Sequence, residues 1–343
     1  MIQSAITKIF EGADLDESEA YKAMEAIMEG RTSPVQIGAF LTALKMKGEC
    51  VDEIAGCAKA MRHAALTIGP FDGPLVDTCG TGGDHKGTFN ISTTSAFVVA
   101  GAGVKVAKHG NRSVTSRCGS ADLLEGLGVT IDLPADAVAL SIEEVGIGFL
   151  FAPSFHPAMR HAAVPRGELG FRTIFNLLGP LTNPAGAKAQ LMGVFDERWV
   201  EPLARVLGRL GVERALVVHG SDGMDEITLF GPTAAAELKG GDVTTYVIEP
   251  ETLGLKRLQD QEAILGGDVE ANLAVTRSVL RGEPGPPREI VLANAGAAIY
   301  CAGEASSLQE GVERAAASID SQAASEALEK LKAFSLMATR GKG

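Results

Sequence analysis

Apolar residues recur at helical spacing through the first 66 or so residues. Met24, Ile27 and Met28, then Ile37, Phe40, Leu41 and Leu44, then Ile54, Cys57, Ala58 and Met61 each fall on one face of a helical repeat. The pattern predicts consecutive short helices with no strand between them. Ser33 followed by Pro34 marks one helix start. The serine hydroxyl can accept a first-turn amide, and proline at the first helical position lacks a donor that would have had no partner.

From Pro70 onward the pattern changes. The short apolar runs LVDTCG, VKVAKHG, IGFLFAP, AQLMGVFD, ALVVHG and VTTYVIEP alternate with helical periods and predict strands. Such alternation builds crossover units and a largely parallel sheet. The expected fold class is therefore α/β: a small all-helical domain over residues 1–68 and a large α/β domain over 69–343 with a mainly parallel central sheet. Residues 163–185 are expected to pack on the helical domain. Segments 268–280 and 290–301 read as helical scaffold, and EPGPPRE at 283–289 as a surface connection.

Composition narrows the function. With 45% hydrophobic and 22% charged residues, the chain has an ordinary globular composition. A formal charge of -12 argues against a nucleic-acid or anionic-membrane surface, since a binder of polyanions needs a positive field. The five scattered cysteines lack CxxC spacing and indicate neither a disulfide framework nor a zinc site. No apolar run reaches the 18 or so residues of a membrane span, and the N-terminus carries acidic residues where a signal peptide would be apolar. A cytoplasmic protein is expected, without nucleic-acid or membrane partners.

Chemistry concentrates after the first strand. Asp77-Thr78-Cys79-Gly80-Thr81-Gly82-Gly83-Asp84 leads to the hydroxyl-rich helix start Asn90-Ile91-Ser92-Thr93. Glycines allow positive φ and close backbone approach, and the helix N-terminus offers amides and a favourable dipole to phosphate oxygens. An isolated GTGG is more often a plain connection; its neighbours change that balance. The segment lacks the ending of a Walker A loop and the GxGxxG spacing of a dinucleotide site, which disfavours ATP and NAD.

A second segment, Lys108-His109-Gly110-Asn111-Arg112-Ser113-Val114-Thr115-Ser116, with Ser120 beyond it, follows the next strand. Ligands in open α/β sheets gather beyond the carboxyl ends of strands, so the two segments are expected to face one crevice, with Lys108 and Arg112 meeting phosphate charge. Asp225 and Glu226 follow the strand ALVV and suit Mg²⁺, which binds through one or two carboxylates and substrate phosphates. Arg166 and Arg172 bracket a short glycine-containing stretch, and an arginine can grip a carboxylate with two parallel hydrogen bonds.

Taken together, GTGGD, FNIST, KHGNRSVTS, GSADLLE, RTIFNLLGPLTNP and VHGSDGMDEI resemble the anthranilate phosphoribosyltransferases, in order and spacing, from Asp77 to Glu226. The resemblance implies a nucleoside phosphorylase/phosphoribosyltransferase-like architecture and a homodimer formed through the helical domain. It also implies transfer of phosphoribosyl from phosphoribosyl pyrophosphate (PRPP) to the amino nitrogen of anthranilate, in tryptophan biosynthesis. Carried over motif by motif, Gly80, Gly83, Asp84, Thr88, Asn90, Ile91, Ser92, Thr93, Lys108 to Ser116 and Ser120 line the PRPP site. Ser92, Asp225 and Glu226 serve Mg²⁺, and Gly80, Asn111 and Arg166 serve anthranilate. Arg166, His109 and Lys108 are the catalytic candidates, with His109 either a base or, as the neutral amine nucleophile favours, a positioning group.

Departures from the family pattern are His85-Lys86 after Asp84, Cys118, and Pro165 and Gly167 flanking Arg166; none removes a proposed ligand. A pyrimidine nucleoside phosphorylase would share the basic glycine-containing segment but gives no reason for DGMDE or RTIFNLLGPLTNP. A catalytically silent phosphate or nucleic-acid binder would have no use for the metal and anthranilate positions.

Overall fold

The computed structural model describes residues 2–113 and 117–340. Its first four helices, α1 (Ile2–Phe10), α2 (Glu17–Met28), α3 (Pro34–Lys47) and α4 (Val51–His63), fall where the apolar periods predict. Their starts are capped. Asp16 and Glu19 close a capping box on α2, as Ser33 and Gln36 do on α3 with Pro34 in its first turn. Each such cap contributes about 1 kcal/mol. The fully buried Glu53 carboxylate accepts from the Leu15 and Cys50 amides and from Lys47 Nζ, tying the α1–α2 connection to α4 without leaving a bare charge.

One seven-stranded sheet runs in the order β3-β2-β1-β4-β5-β6-β7. The parallel strands are β1 (Leu75–Asp77), β2 (Lys105–Gly110), β3 (Ile147–Phe151), β4 (Ala189–Gly193) and β5 (Arg214–Gly220). The helices of this part are α5 (Ile91–Gly101), α6 (Ser120–Gly126), α7 (Ala135–Val145), α8 (Ala152–Phe155), α9 (Arg160–Leu169), α10 (Phe175–Leu178) and α11 (Val200–Arg209). After the sheet come α12 (Val269–Leu280), α13 (Pro286–Cys301), α14 (Leu308–Asp320) and α15 (Ala323–Arg340).

Both faces of the sheet are covered, so its central strands read as unbroken apolar runs. Along β5, Leu216 and Val218 enter the core shared with α5 and α13, while Ala215 and Val217 enter the core shared with the N-terminal helices. The second core also takes Ala162, Ile174, Phe175, Leu177, Leu178 and Leu181. Arg62 fastens this junction, donating to the carbonyls of Leu181 at 2.6 Å and Leu210 at 2.9 Å.

One strand escaped the sequence reading, and one sequence expectation is corrected. The stretch TAAAELK forms β6 (Thr233–Lys239), antiparallel to both β5 and β7 (Asp242–Ile248). Its alanine-rich composition favours helix, but pairing on both edges overrides that preference, and Gly240-Gly241, both at positive φ, close the hairpin. The proline-rich stretch at 283–289 is only partly a connection: α13 begins at Pro286, with prolines in the first turn, where a missing amide costs nothing. Among the described residues no helix is long and apolar enough to cross a membrane.

Candidate functional site

The strand order reverses at β1, whose neighbours are β2 on one side and β4 on the other. The crevice beyond the carboxyl ends of such a reversal is where open α/β sheets hold ligands. Here the glycine turn, the β4 exit and the loop after β5 pack backbone to backbone. The Thr81 amide donates to the Gly193 carbonyl at 2.9 Å, and the Gly82 amide to Asp225 Oδ2 at 2.7 Å. A side chain at Gly193 would fall 1.5 Å from the Asp225 carbonyl oxygen, and one at Gly80 would crowd the Gly193 carbonyl at 2.9 Å. Gly82 and Gly83 hold left-handed φ of 66° and 79°.

Three carboxylates converge at this junction. Asp84 Oδ2 accepts from the Asp225 amide at 3.4 Å. Burial and the neighbouring Asp84 push the Asp225 carboxyl well above its ordinary range. Glu226 is driven up by burial and by Asp225, while Lys108 and the Ser92 amide pull it the other way. Burial and mutual repulsion hold both carboxyls above their ordinary range, and a bound cation would relieve that repulsion. Their all-oxygen donor set, with the Ser92 hydroxyl on the adjoining helix start, fits Mg²⁺.

Lys108 and His109 lie at the end of β2. Lys108 Nζ donates to the Thr78 carbonyl at 3.1 Å and the His109 carbonyl at 3.4 Å. Beside it the fully buried Asp77 is raised to about 6 by burial, against the pull of Lys108. Asp77, Cys79 and His109 bring donor atoms within 4.8 Å of one another, a grouping their sequence spacing concealed; the Lys108 ammonium already supplies positive charge there. His109 is depressed to about 3 by burial and by the nearby His156 and Lys108, against a weak backbone interaction with Gly179. Its ring lies 5.1 Å from that of His156, itself lowered to about 4 by burial. Both imidazoles are neutral at physiological pH.

The other expected positions divide. Asn90 caps no helix amide; its side chain donates to the Cys118 carbonyl at 3.1 Å and leaves a buried Oδ1 without a partner among the described residues. Ile91 offers no polar group to a ligand, because its side chain enters the core and its amide donates to the Phe89 carbonyl at 2.7 Å. Thr93 is buried, and Thr88 forms a bridge with Leu265. Gly110 makes room for Ser120, whose Oγ accepts from the Asn111 amide and donates to the Asn111 carbonyl, both at 3.1 Å. The Ser113 amide donates to Asp122. Val114, Thr115 and Ser116 lie outside the described residues. Arg112 pairs with Asp122 at 3.1 Å and Glu125 at 2.5 Å, an exposed ion-pair set on α6.

Arg166 lies on α9, its guanidinium 4.8 Å from the centre of the Phe175 ring. Burial lowers its pKa, with no charged neighbour offsetting that effect among the described residues, which leaves a cation ready for an anion. Arg172 joins this segment to the glycine turn by donating to the Gly83 carbonyl. Sequence reasoning singled out neither Gly193 nor His156. A glycine closing an apolar strand was a readable signal of close backbone approach, whereas the proximity of His156 had none.

Two family models match the chain: the helical bundle domain of a glycosyl transferase family over residues 3–65 and its a/b domain over residues 72–325. An anthranilate phosphoribosyltransferase of Moorella thermoacetica is 55% identical over 334 residues, covering 97% of this chain and 98% of the relative. The crystal structure of the enzyme of that name from Thermus thermophilus superposes with a TM-score of 0.91 at 50% identity, over 96% of this chain and 99% of that one. The Saccharomyces cerevisiae enzyme in complex with PRPP and Mg superposes at 0.88 with 26% identity, over 98% of both chains. With a matching two-domain fold and more than half of its residues shared with a full-length relative, the chain belongs to the anthranilate phosphoribosyltransferase family.

Proposed function

We propose that this protein transfers the phosphoribosyl group of PRPP to anthranilate, giving N-(5-phosphoribosyl)anthranilate and pyrophosphate, the second step of tryptophan biosynthesis from chorismate. The observation that carries this reading is the meeting of the glycine turn, the Asp225-Glu226 pair and Lys108 at the strand-order reversal, together with a half-buried arginine, Arg166, that has no ion-pair partner among the described residues. The amino nitrogen bonds to the anomeric carbon as that carbon's bond to the pyrophosphate oxygen breaks, and the nitrogen then loses one proton.

Asp225 and Glu226, with Ser92, would hold Mg²⁺, which when bound supplies positive charge at the leaving pyrophosphate. The amides of the glycine turn and the Lys108 ammonium complement the same developing charge from fixed positions, so little reorganisation is needed as the bond breaks. Arg166 grips the anthranilate carboxylate. His109, neutral and with a pKa of about 3, is too weak a base to drive proton removal and instead orients the acceptor.

Metal-dependent loss of anthranilate fluorescence in the presence of PRPP tests the reading. A folded sample that consumes nucleoside and phosphate instead would replace it with a phosphorylase. A homodimer through the helical domain is part of the proposal, supported by the strong exposure of Phe10, Val35 and Met46 on α1 and α3, which pack together. Sedimentation showing only monomer at micromolar concentration would rule the dimer out. The five cysteines form no disulfide among the described residues, which suits a reducing cytoplasm; cell fractionation checks that location.

A further inference from the structure

The glycine turn is held from two sides. On the sheet side, Thr81 and Gly82 are fixed by the Gly193 carbonyl and Asp225. On the other side stands Arg172, which the transferase mechanism leaves without a task. Its guanidinium donates to the Gly83 carbonyl and lies 4.3 Å from the centre of the Phe195 ring. Gly83 covers the plane closely: a β-carbon added there would meet three guanidinium atoms at 3.7–3.8 Å. Phe195 is itself fastened to the turn, its amide donating to Thr81 Oγ1 at 3.0 Å. Thr81, Phe195, Arg172 and Gly83 thus form a closed clasp.

The clasp also reaches the acceptor side. Arg172 follows Arg166 by six positions, across the left-handed Gly170 that ends α9. Directly after it the Thr173 amide donates to Asn176 Oδ1 at 3.0 Å, leading into α10. The guanidinium is therefore carried on a short tether between two helices, and its hydrogen bond to the Gly83 carbonyl links that tether to the glycine turn. Lysine at 172 would keep the charge but lose the flat surface that stacks between the ring and the glycine.

We propose that Arg172 is a positioning residue that clamps the glycine turn in its phosphate-receiving shape and couples it to the acceptor-binding segment. The turn is then preorganised before PRPP arrives, and acceptor binding tightens it further. Its kinetic consequence rests on the transferase reading above; its effect on the ligand-free turn does not.

The experiment compares wild type, Arg172→Lys and Arg172→Gln by amide hydrogen exchange and steady-state kinetics. In the free protein, both variants should exchange about tenfold faster across residues 80–88 while α1–α4 are unchanged. KM for PRPP should rise about tenfold with kcat within about threefold, the pattern of lost preorganisation rather than lost chemistry. Saturating anthranilate should slow exchange across 80–88 in wild type and not in Arg172→Gln. Unchanged exchange at 80–88 overturns the proposal, as does faster exchange throughout the chain with a lower Tm, which assigns Arg172 to general stability. Wild-type behaviour in Arg172→Lys overturns the stacked clamp. If wild type shows no transferase activity, the function fails and the exchange data still decide the clamp.

Discussion

Asp225 Oδ2 accepts the Gly82 amide at 2.7 Å, joining two residues 143 positions apart. The loop that carries the acidic pair is thereby tied to the glycine turn. In the double variant Asp225→Asn, Glu226→Gln, the asparagine carbonyl can still accept the Gly82 amide, so the fold is retained while the metal-binding charge is gone. The expected loss in kcat/KM is about 100-fold or more, with Tm preserved. Kinetics equal to wild type would remove these residues from the metal step.

The same carboxyls set a pH dependence. Their native values lie above the ordinary range, so the metal-free native state keeps protons that the unfolded chain releases as pH passes about 4. The stability they contribute is present below that pH and is lost as pH rises through the native values. Mg²⁺ binds the ionised form, so the increase in Tm it gives should be larger at about pH 8 than at about pH 5, and absent in the double variant. Melts at both pH values check this; an equal increment at the two contradicts it.

Arg166→Ala should lower kcat/KM for anthranilate by about 10- to 100-fold, chiefly through KM, and leave KM for PRPP within about threefold. Arg166→Lys should recover little, because an ammonium cannot grip a carboxylate with two parallel bonds. An equal rise in both KM values would assign Arg166 to the turn instead of the acceptor.

His109 is neutral far below its ordinary pKa because of burial and its cationic and imidazole neighbours. His109→Asn should keep kcat within about threefold and raise KM for anthranilate, and the wild-type rate profile should show no step from this group between about pH 5 and pH 8. The native preference for neutral imidazole is lost as pH falls below about 6.5 toward about 3, so the variant should resist acid unfolding better than wild type. A collapse of kcat in the variant would make His109 a participant in proton transfer.

Gly193→Ala places a β-carbon 1.5 Å from the Asp225 carbonyl oxygen, a contact that only displacement of the acidic loop can relieve. The expected cost is about 1–3 kcal/mol of stability, together with loss of the Mg²⁺-dependent rise in Tm. Calorimetry with and without the metal reads both effects.

Much of this protein was legible along the chain because the signals are local. The apolar period of Ile37, Phe40, Leu41 and Leu44 gives a helix in almost any setting, and the glycines after Asp77 announce a tight turn with left-handed positions. Six of the seven strands could be read from β-rich apolar runs. The exception, TAAAELK, is a strand only because β5 and β7 satisfy its backbone on both edges. Tertiary structure likewise decided which charges are available. Arg112 meets Asp122 and Glu125 of α6, and burial makes the His109 imidazole too weak a base to hold a proton near neutral pH. Residue type and spacing record what a side chain can do. Whether it remains charged, free and correctly placed depends on neighbours that the chain brings together from distant positions, as it does Gly82 with Asp225.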